Sequence, residues 1–414
     1  MAKVRPFKAV RPRPEYAAKV AALPYDVMSS EEAAVMVQGN PYSFLHIDRA
    51  EIDMPAGTSP YDAAVYDKAK ENLDNLSKNG ICAQDAEPCF YIYRQVMNGR
   101  AQTGIAGCVS IDDYINNNVK KHELTRADKE VDRLNHVNIC NANTGPIFLT
   151  YRPKKELSAL LARWQEEHDA VYDFTTDAGI RNTVWVIDDS DVNAEISKLF
   201  SEIEHLYIAD GHHRAASAIK VGVMRREENP DYDGNEEFNY FLAVLFSCDE
   251  LEIMDYNRVV KGLNGLTKEE FLAKLEKDFT VEKNGKEKFK PAVPHTFGMY
   301  LEGEWYKLAA KEGTFDSTDA VAALDVSILQ NNLIAPILGI EDLRTSDRID
   351  FVGGIRGLGE LEKRADTDMT MAFAMCPTSV QDLMDVADSG RIMPPKSTWF
   401  EPKILSGLFI HYLN

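Results

Sequence analysis

Apolar and polar residues alternate over positions 4 to 10, the period of a half-buried strand, and the period then changes repeatedly along the chain. After a turn at Pro24 to Asp26, Ser29 or Ser30 stands ready to cap a helix with acids in its first turn, which Gly39, Asn40 and Pro41 end. Residues 60 to 79 carry a helical period, and CFYIYRQVMNGRAQTGIAGCVSIDDY reads as two strands about an Asn98-Gly99 hairpin. Thr125 with Asp128 makes a capping-box pattern that opens a helix to residue 140, and TGPIFLTYR is a strand behind a Gly-Pro turn. Helices over 154–168 and 191–203 flank the strand NTVWVID, so β and α alternate up to residue 206.

Beyond that point FNYFLAVLFSCDELEIMDYNRVV predicts a β-hairpin turned at Cys248 to Glu250. A helix over 267–277, strands near 279–283, a hairpin turned at Glu302-Gly303 and a helix containing VSILQNNLIAPIL follow. The tail predicts the strand IDFVGG, a helix near 357–365, the strand MTMAFAMC and a helix from Ser379 to Ala387. No repeat and no low-complexity tract breaks the pattern, and EKNGKEKFKPAVP (282–294) reads as an exposed connection. The expectation is a mixed α and β protein, with mixed sheets flanked by helices, in three regions: 1–205, 206–290 and 291–414.

Length and composition change the picture little: 414 residues, 44% hydrophobic and 27% charged, describe an ordinary globular chain able to bury a large core. Charge matters more. With 46 basic and 66 acidic residues the net charge is −20, which repels phosphate backbones and anionic lipid, so neither nucleic acid nor membrane is expected as a partner. Cys82, Cys89, Cys108, Cys140, Cys248 and Cys376 contain no C-x-x-C pair and read as free thiols in a reducing cytoplasm. The basic start MAKVRPFKAVRPRPEY lacks the apolar stretch of a signal peptide, and no apolar run is long enough to span a bilayer; a cytoplasmic location is expected.

Chemistry concentrates at LYIADGHHRAASAIKVG, residues 206–222, where an apolar strand meets a helix through Asp210, Gly211, His212, His213 and Arg214. The first N–H groups of a helix lack partners and the dipole there is positive, so an anion is welcome. Gly211 admits close backbone approach, Arg214 can grip two phosphate oxygens, and both histidines can donate to the same group. Asp210 can hold a magnesium ion or accept a hydroxyl proton. The plainer alternative is that Asp210 caps the helix while one histidine enters the core and the other faces solvent. A second cluster, KKHELTRADKEVDRLNH (120–136), gathers Arg126, Lys129, Arg133 and His136 on one helical face, with Lys121, His122 and Glu123 just before it. An ordinary solvated helix with i,i+4 pairs explains the same residues. In IMPPKSTWFEPK (392–403) a stiff loop can present Lys396, Ser397 and Thr398 to an anion, or simply pack Trp399 and Phe400. Tyr25, Asp26 and Glu31, and separately Asn257, Arg258 and Lys261, are weaker signals. Walker A, Rossmann, H-E-x-x-H, G-x-S-x-G and protein-kinase motifs are all missing.

LPYDV, KKHELTRADKEVDR, TGPIFLTYR, ADGHHRAASA, IMDYNRVVKGLNG and IMPPKSTWFEPK together resemble, over essentially the whole chain, a large prokaryotic family catalogued as domain of unknown function ten-fifteen. The DGHHR seam also resembles, through Gly211 and Arg214, the Gly-x-x-Arg phosphate turn of the ParB/sulfiredoxin superfamily. That superfamily includes partitioning nucleotidases, sulfiredoxins and a free-serine kinase. The motif carries no reactive cysteine, and the acidic charge disfavours DNA. The resemblance therefore implies phosphoryl transfer from ATP or ADP, with Mg2+, to a small hydroxylated metabolite such as L-serine. On that reading Gly211, His212, His213 and Arg214 hold phosphate and Asp210 assists the metal or the base. Arg126, Lys129, Arg133 and His122 face the substrate, and Glu123 is the carboxylate base, with Asp26 and Glu31 as rivals. A non-catalytic nucleotide-binding regulator and a phosphohydrolase use the same cations and stay open as alternatives.

Overall fold

The structure, a computed structural model, describes residues 2–414. The chain divides into two compact units, Met1–Leu251 with Pro402–Asn414, and Glu252–Glu401. The boundaries expected at 205/206 and 290/291 fall inside the first and the second of these.

Among the described residues, nine strands form the sheet of the first unit: β1 (Val4–Arg5), β2 (Phe90–Met97), β3 (Arg100–Ser110), β4 (Val119–Lys120), β5 (Ile147–Tyr151), β6 (Tyr172–Thr175), β7 (Arg181–Ile187), β8 (Leu206–Asp210) and β9 (Tyr240–Ser247). Their order is β4-β8-β5-β9-β3-β2-β7-β6, with β1 added on β3. The sheet is mixed: β4–β8 and β5–β9 pair parallel, and the other pairs run antiparallel. Asn98 and Gly99 both take positive φ, 52° and 81°, as a tight two-residue hairpin between β2 and β3 demands.

Helices α1 (Ser30–Met36), α2 (Ala63–Lys78), α3 (Ala127–Cys140), α4 (Lys155–Glu167), α5 (Ser190–Ser201) and α6 (His212–Glu228) belong to this unit. Leu157 and Leu161 of α4 and Ile196 and Phe200 of α5 close over Ile92, Ile105, Leu149, Ile208 and Leu245 of the sheet. Each such side chain stabilises the fold by about 1.5–3 kcal/mol when fully buried. A second cluster joins Val65 and Leu73 of α2 to Phe44, Leu45, Ile47 and Ile410.

Helix α6 follows directly on Asp210 and Gly211, and Gly222 in it is required by contact. A Cβ there would stand 2.5 Å from the carbonyl oxygen of Phe238 and 2.8 Å from Ile111 Cδ1. Alanine normally gains about 1 kcal/mol over glycine in a helix. Here backbone has to move, so overpacking of about 1–3 kcal/mol wins. Gly222→Ala is therefore expected to lower the urea midpoint of unfolding; an unchanged or higher midpoint would contradict this packing.

The second unit holds β10 (Tyr256–Val260), β11 (Phe279–Gly285), β12 (Thr296–Leu301), β13 (Glu304–Ala310), β14 (Ile349–Gly353) and β15 (Met371–Met375), in the order β11-β13-β12-β15-β10-β14 and antiparallel throughout. Its helices include α7 (Lys268–Leu275), α8 (Gly357–Thr367) and α9 (Val380–Asp388).

Four expectations change. The hairpin at Cys248 to Glu250 does not form: β9 pairs with β3 and β5, while β10 pairs with β14 and β15 in the other unit. Both strands are buried on each face, so neither shows the alternation that would reveal its partner. Thr125 caps nothing; Arg126 stands at the cap position before α3 and makes no side-chain cap, and the Thr125 hydroxyl donates to Glu130. The first part of 282–294 is strand β11. Residues 4–10 split, Val4–Arg5 joining the large sheet and Val10–Pro12 pairing with Cys82–Gln84. Among the described residues no helix is long and apolar enough to cross a membrane.

Candidate functional site

Strand β8 runs antiparallel to β5, and the register slips between Ile208 and Asp210. Such a bulge re-aims the side chain that follows it, here Asp210 at the strand's end. Gly211 then takes φ 92° and ψ 32°, a left-handed conformation that glycine adopts freely, and α6 begins with no side chain capping it. The first N–H groups of α6 thus face outward without a side-chain acceptor, at the positive end of a 17-residue helix.

Arg214 lies across this opening. Its Nη1 donates to Pro146 O at 2.6 Å and its Nη2 to Asp210 Oδ2 at 3.0 Å, while the buried Nε has no hydrogen-bond partner. Burial alone would pull the guanidinium down, but Asp26 and Asp210 outweigh it and hold it above its usual value. Asp210 also faces Lys403, whose Nζ lies 3.8 Å from Oδ1. Burial would raise that carboxyl; Lys403 and Arg214 overcome it and keep Asp210 ionised.

The two histidines separate in the way their helical spacing dictates. His212 is 4% exposed, sets its ring edge against His122 with centroids 4.5 Å apart, and places Nδ1 3.6 Å from Glu123 Oε2. Its Nε2 is buried without a partner. Desolvation drives His122 and His212 each down to about 3, so both imidazoles are neutral at pH 7. His213 is only partly buried, and its Nε2 accepts the Arg126 amide N–H at 3.0 Å, which leaves its proton on Nδ1.

The expected cationic face of α3 is graded. Arg126 is exposed and paired with Asp128 at 2.8 Å, so only its amide reaches the seam. Lys129 Nζ donates to the Tyr61 hydroxyl at 3.0 Å. Arg133 is buried, donates to Asp132 at 3.0 Å and lies 4.0 Å from the centre of the Tyr25 ring, a cation–π contact. His136 Nε2 donates to Ile47 O at 3.1 Å.

Two adjoining cavities of about 30 Å³ each share Tyr25, Asp48, Arg133 and His136. Arg214 and Thr144 line the first, Lys129 and Arg49 the second. Both are water-sized, so what enters at this depth is a small polar group and not a base. Asp48, 6% exposed, accepts from the Thr144 hydroxyl at 2.9 Å.

The structure thus brings Asp210, Gly211, His212, His213, Arg214, Glu123 and His122 together, with Arg133 and Lys129 on the neighbouring cavity wall. Asp26 and Glu31 are exposed. Lys396, Ser397 and Thr398 belong to the second unit: Ser397 is 2% exposed with its hydroxyl donating to Pro394 O at 2.6 Å, and Lys396 is exposed. Arg258, also there, is fully buried, brought down to about 10 by burial, and donates to the carbonyls of Tyr256 and Lys396. Both oxygens of Asp210, the residue expected to assist magnesium, face cations, Arg214 at 3.0 Å and Lys403 at 3.8 Å. Sequence reading missed Asp48, Thr144 and Lys403. An acid inside the apolar stretch SFLHID was the one local signal for Asp48.

Fold and seam define a mixed α and β protein whose sheet delivers a glycine-led, uncapped helix start to a buried arginine. The chain belongs to the family described as a protein of unknown function (DUF1015), whose profile matches residues 4–327. No curated protein matches it in sequence. Similar solved structures include a free serine kinase in complex with AMP, at 13% identity and a TM-score of 0.36 over 71% of this chain and 86% of that one. A conserved hypothetical protein from Pyrococcus furiosus aligns at 14% and 0.35 over 73% and 93%. C-terminally truncated SbnI from Staphylococcus aureus aligns at 11% and 0.36 over 73% and 85%.

Proposed function

We propose that the protein is a small-molecule kinase that moves a phosphoryl group from ATP or ADP to the hydroxyl of a metabolite such as free L-serine. One observation carries the reading. Arg214, set at the uncapped start of α6, keeps a buried Nε without a partner while lining a small cavity. A buried polar group without a partner is costly, and an oxyanion removes that cost.

In this reading the first-turn N–H groups behind Gly211 and the Arg214 fork hold the phosphates, and neutral His212 and His213 donate to them. Lys129 and Arg133 receive the acceptor's carboxylate. The bond from phosphorus to the leaving nucleotide oxygen breaks, a bond to the acceptor oxygen forms, and the hydroxyl proton passes to Glu123. The protein's contribution is positioning and charge stabilisation. Magnesium enters such reactions on the nucleotide's own phosphates, and the assay supplies it.

A nucleotide-binding regulator on the same seat is the second reading, favoured by the engagement of Asp210 with two cations. Phosphorus NMR of the protein with magnesium, ATP or ADP and L-serine separates the possibilities. The expected result is a new phosphomonoester resonance that requires L-serine. Inorganic phosphate released without an acceptor would make the protein a phosphohydrolase, and nucleotide left intact across a pool of hydroxylated acceptors would favour the regulator.

A further inference from the structure

We propose that His411, on the chain's final strand, is a positioning residue for the seat: protonated on both ring nitrogens, it ties the segment 143–146 to Glu237 and Arg5 and so fixes one wall of the first cavity. The effect on nucleotide binding rests on the nucleotide reading above; the latch itself does not. Asn143, Thr144 and Gly145 line that cavity beside Arg214, and Pro146 O accepts from Arg214 Nη1 at 2.6 Å. Whatever places this short segment therefore places the acceptor that aims Arg214. His411 and Asn143 face each other in a two-residue antiparallel pairing, with Tyr412 opposite Ala142. Both are buried, at 2% and 5% exposure. Ile410 N donates to Val10 O at 2.9 Å and Leu413 N to Asn141 O at 3.0 Å, which strap the strand on either side.

The protons follow from the partners. Leu242 N donates to Asn143 Oδ1 at 3.1 Å, and a backbone N–H has no other role, so the amide oxygen and not its nitrogen stands there. His411 Nδ1 lies 3.2 Å from the same oxygen and must donate to it. On the other edge of the ring, Nε2 lies 2.8 Å from Glu237 Oε2, which also accepts from Arg5 Nη2 at 2.7 Å. Burial would raise the Glu237 carboxyl, but His411 and Arg5 overcome it and keep it ionised. An ionised carboxylate only accepts, so Nε2 donates as well and the ring is an imidazolium. Burial is the largest influence against that charge, and Glu237 the largest for it. His122 and His212 yield to burial with ring nitrogens that have no partner. His411 has an acceptor at each nitrogen, and giving up either proton would set two lone pairs against each other. Glu237 and Arg5 are the charged groups that face the ring; they are 37% and 22% exposed, so water solvates the outer pair and its extra positive charge. The Cys108 thiol beside them is pushed well up by burial and stays neutral, and Phe7, edge-on to the ring at 5.6 Å, carries no charge.

As the pH rises the second proton leaves, one contact turns repulsive and the wall loosens, so ADP binding at the seat falls with rising pH. The test joins nitrogen-15 NMR of the histidine rings to ADP binding, on the full chain as wild type and Glu237→Gln; His411→Gln serves only to assign the signal. At pH 7 the wild-type His411 ring is expected to carry two protons and to lose one at higher pH, and in Glu237→Gln to lose it at lower pH. A bare nitrogen on wild-type His411 at pH 7 would overturn the proposal. ADP affinity should drop about 5- to 10-fold as the ring loses its proton, and comparing the two chains at each pH cancels the titration of ADP itself. An affinity that ignores the state of the ring would overturn the positioning role and leave the nucleotide reading intact. A wild type that binds no ADP would overturn the nucleotide reading alone, and hydrogen exchange then decides for the latch. At a pH between the two ring titrations the amides of 143–145 should exchange faster in Glu237→Gln than in wild type; equal rates would overturn it. Should Glu237→Gln fail to fold, the wild-type ring and the wild-type ADP profile are compared directly: their midpoints are expected to coincide, and separate midpoints would overturn the proposal.

Discussion

Arg214→Lys is expected to fold, to keep adenosine binding and to lose about 10²–10³-fold in kcat/KM, the usual loss when one preorganised donor to a developing oxyanion is removed. Lysine keeps the charge but not the planar fork. The native guanidinium spans Pro146 O and Asp210 Oδ2 and still has Nε in reserve, and a single ammonium cannot do all three. Alanine is the less informative variant. It would leave a buried carbonyl unpaired and break a buried ion pair, a loss of about 3–5 kcal/mol that confuses stability with function. Lys403 stays against Asp210 in either variant, which limits the damage to the fold. Wild-type kcat/KM in Arg214→Lys would sink the phosphate seat as described, and a lower melting temperature with unchanged kinetics would make Arg214 a purely structural residue.

The elements set by local rules could be read from the sequence. The Asn98-Gly99 hairpin, a helix capped at Ser29 or Ser30 and the passage from strand to helix at Gly211 each follow from a few neighbouring residues, and each forms, with Ser29 as the cap. What could not be read depends on long-range pairing. Tyr240–Ser247 and Tyr256–Val260 are continuous apolar runs joined by a short turn, which favours a hairpin locally, yet sheet partners far along the chain decide otherwise. The site divides in the same way. DGHHR announces itself because five polar or special residues interrupt a buried strand. Lys403 stands 193 positions from Asp210 in the numbering and reaches it only because Gln95, Gln102 and Asn182 hold its backbone, contacts with no periodicity to give them away. The helical face of 126–136 was visible, but its gradient from exposed Arg126 to buried Arg133 was not, since spacing gives direction and not depth.

That depth governs the second large effect, a steep loss of stability in mild acid. His122 and His212 are buried neutral, each brought down to about 3 from an ordinary value of 6.5. Above pH 6.5 neither the folded nor the unfolded chain binds a proton at these rings, so they add no pH dependence. As the pH falls below 6.5 the unfolded chain takes up both protons while the folded chain refuses them, and stability drops until the pH nears 3. At pH 5 each ring has forfeited about 2 kcal/mol, which is 1.36 kcal/mol per pH unit over the interval travelled. Together the two approach about 4 kcal/mol, a large part of the 5–15 kcal/mol that holds an ordinary domain folded. Asp210 and Glu123 already favour protonation of these rings, and burial defeats them, so no nearby acid is left to rescue the pair. Urea unfolding at pH 7, 6 and 5 should show the midpoint falling with acid, and His122→Leu, which removes one titrating ring, should flatten the slope. A midpoint that stays level between pH 7 and 5 would mean that water reaches the His122 and His212 rings, and the dry pairing of the two imidazoles would be overturned.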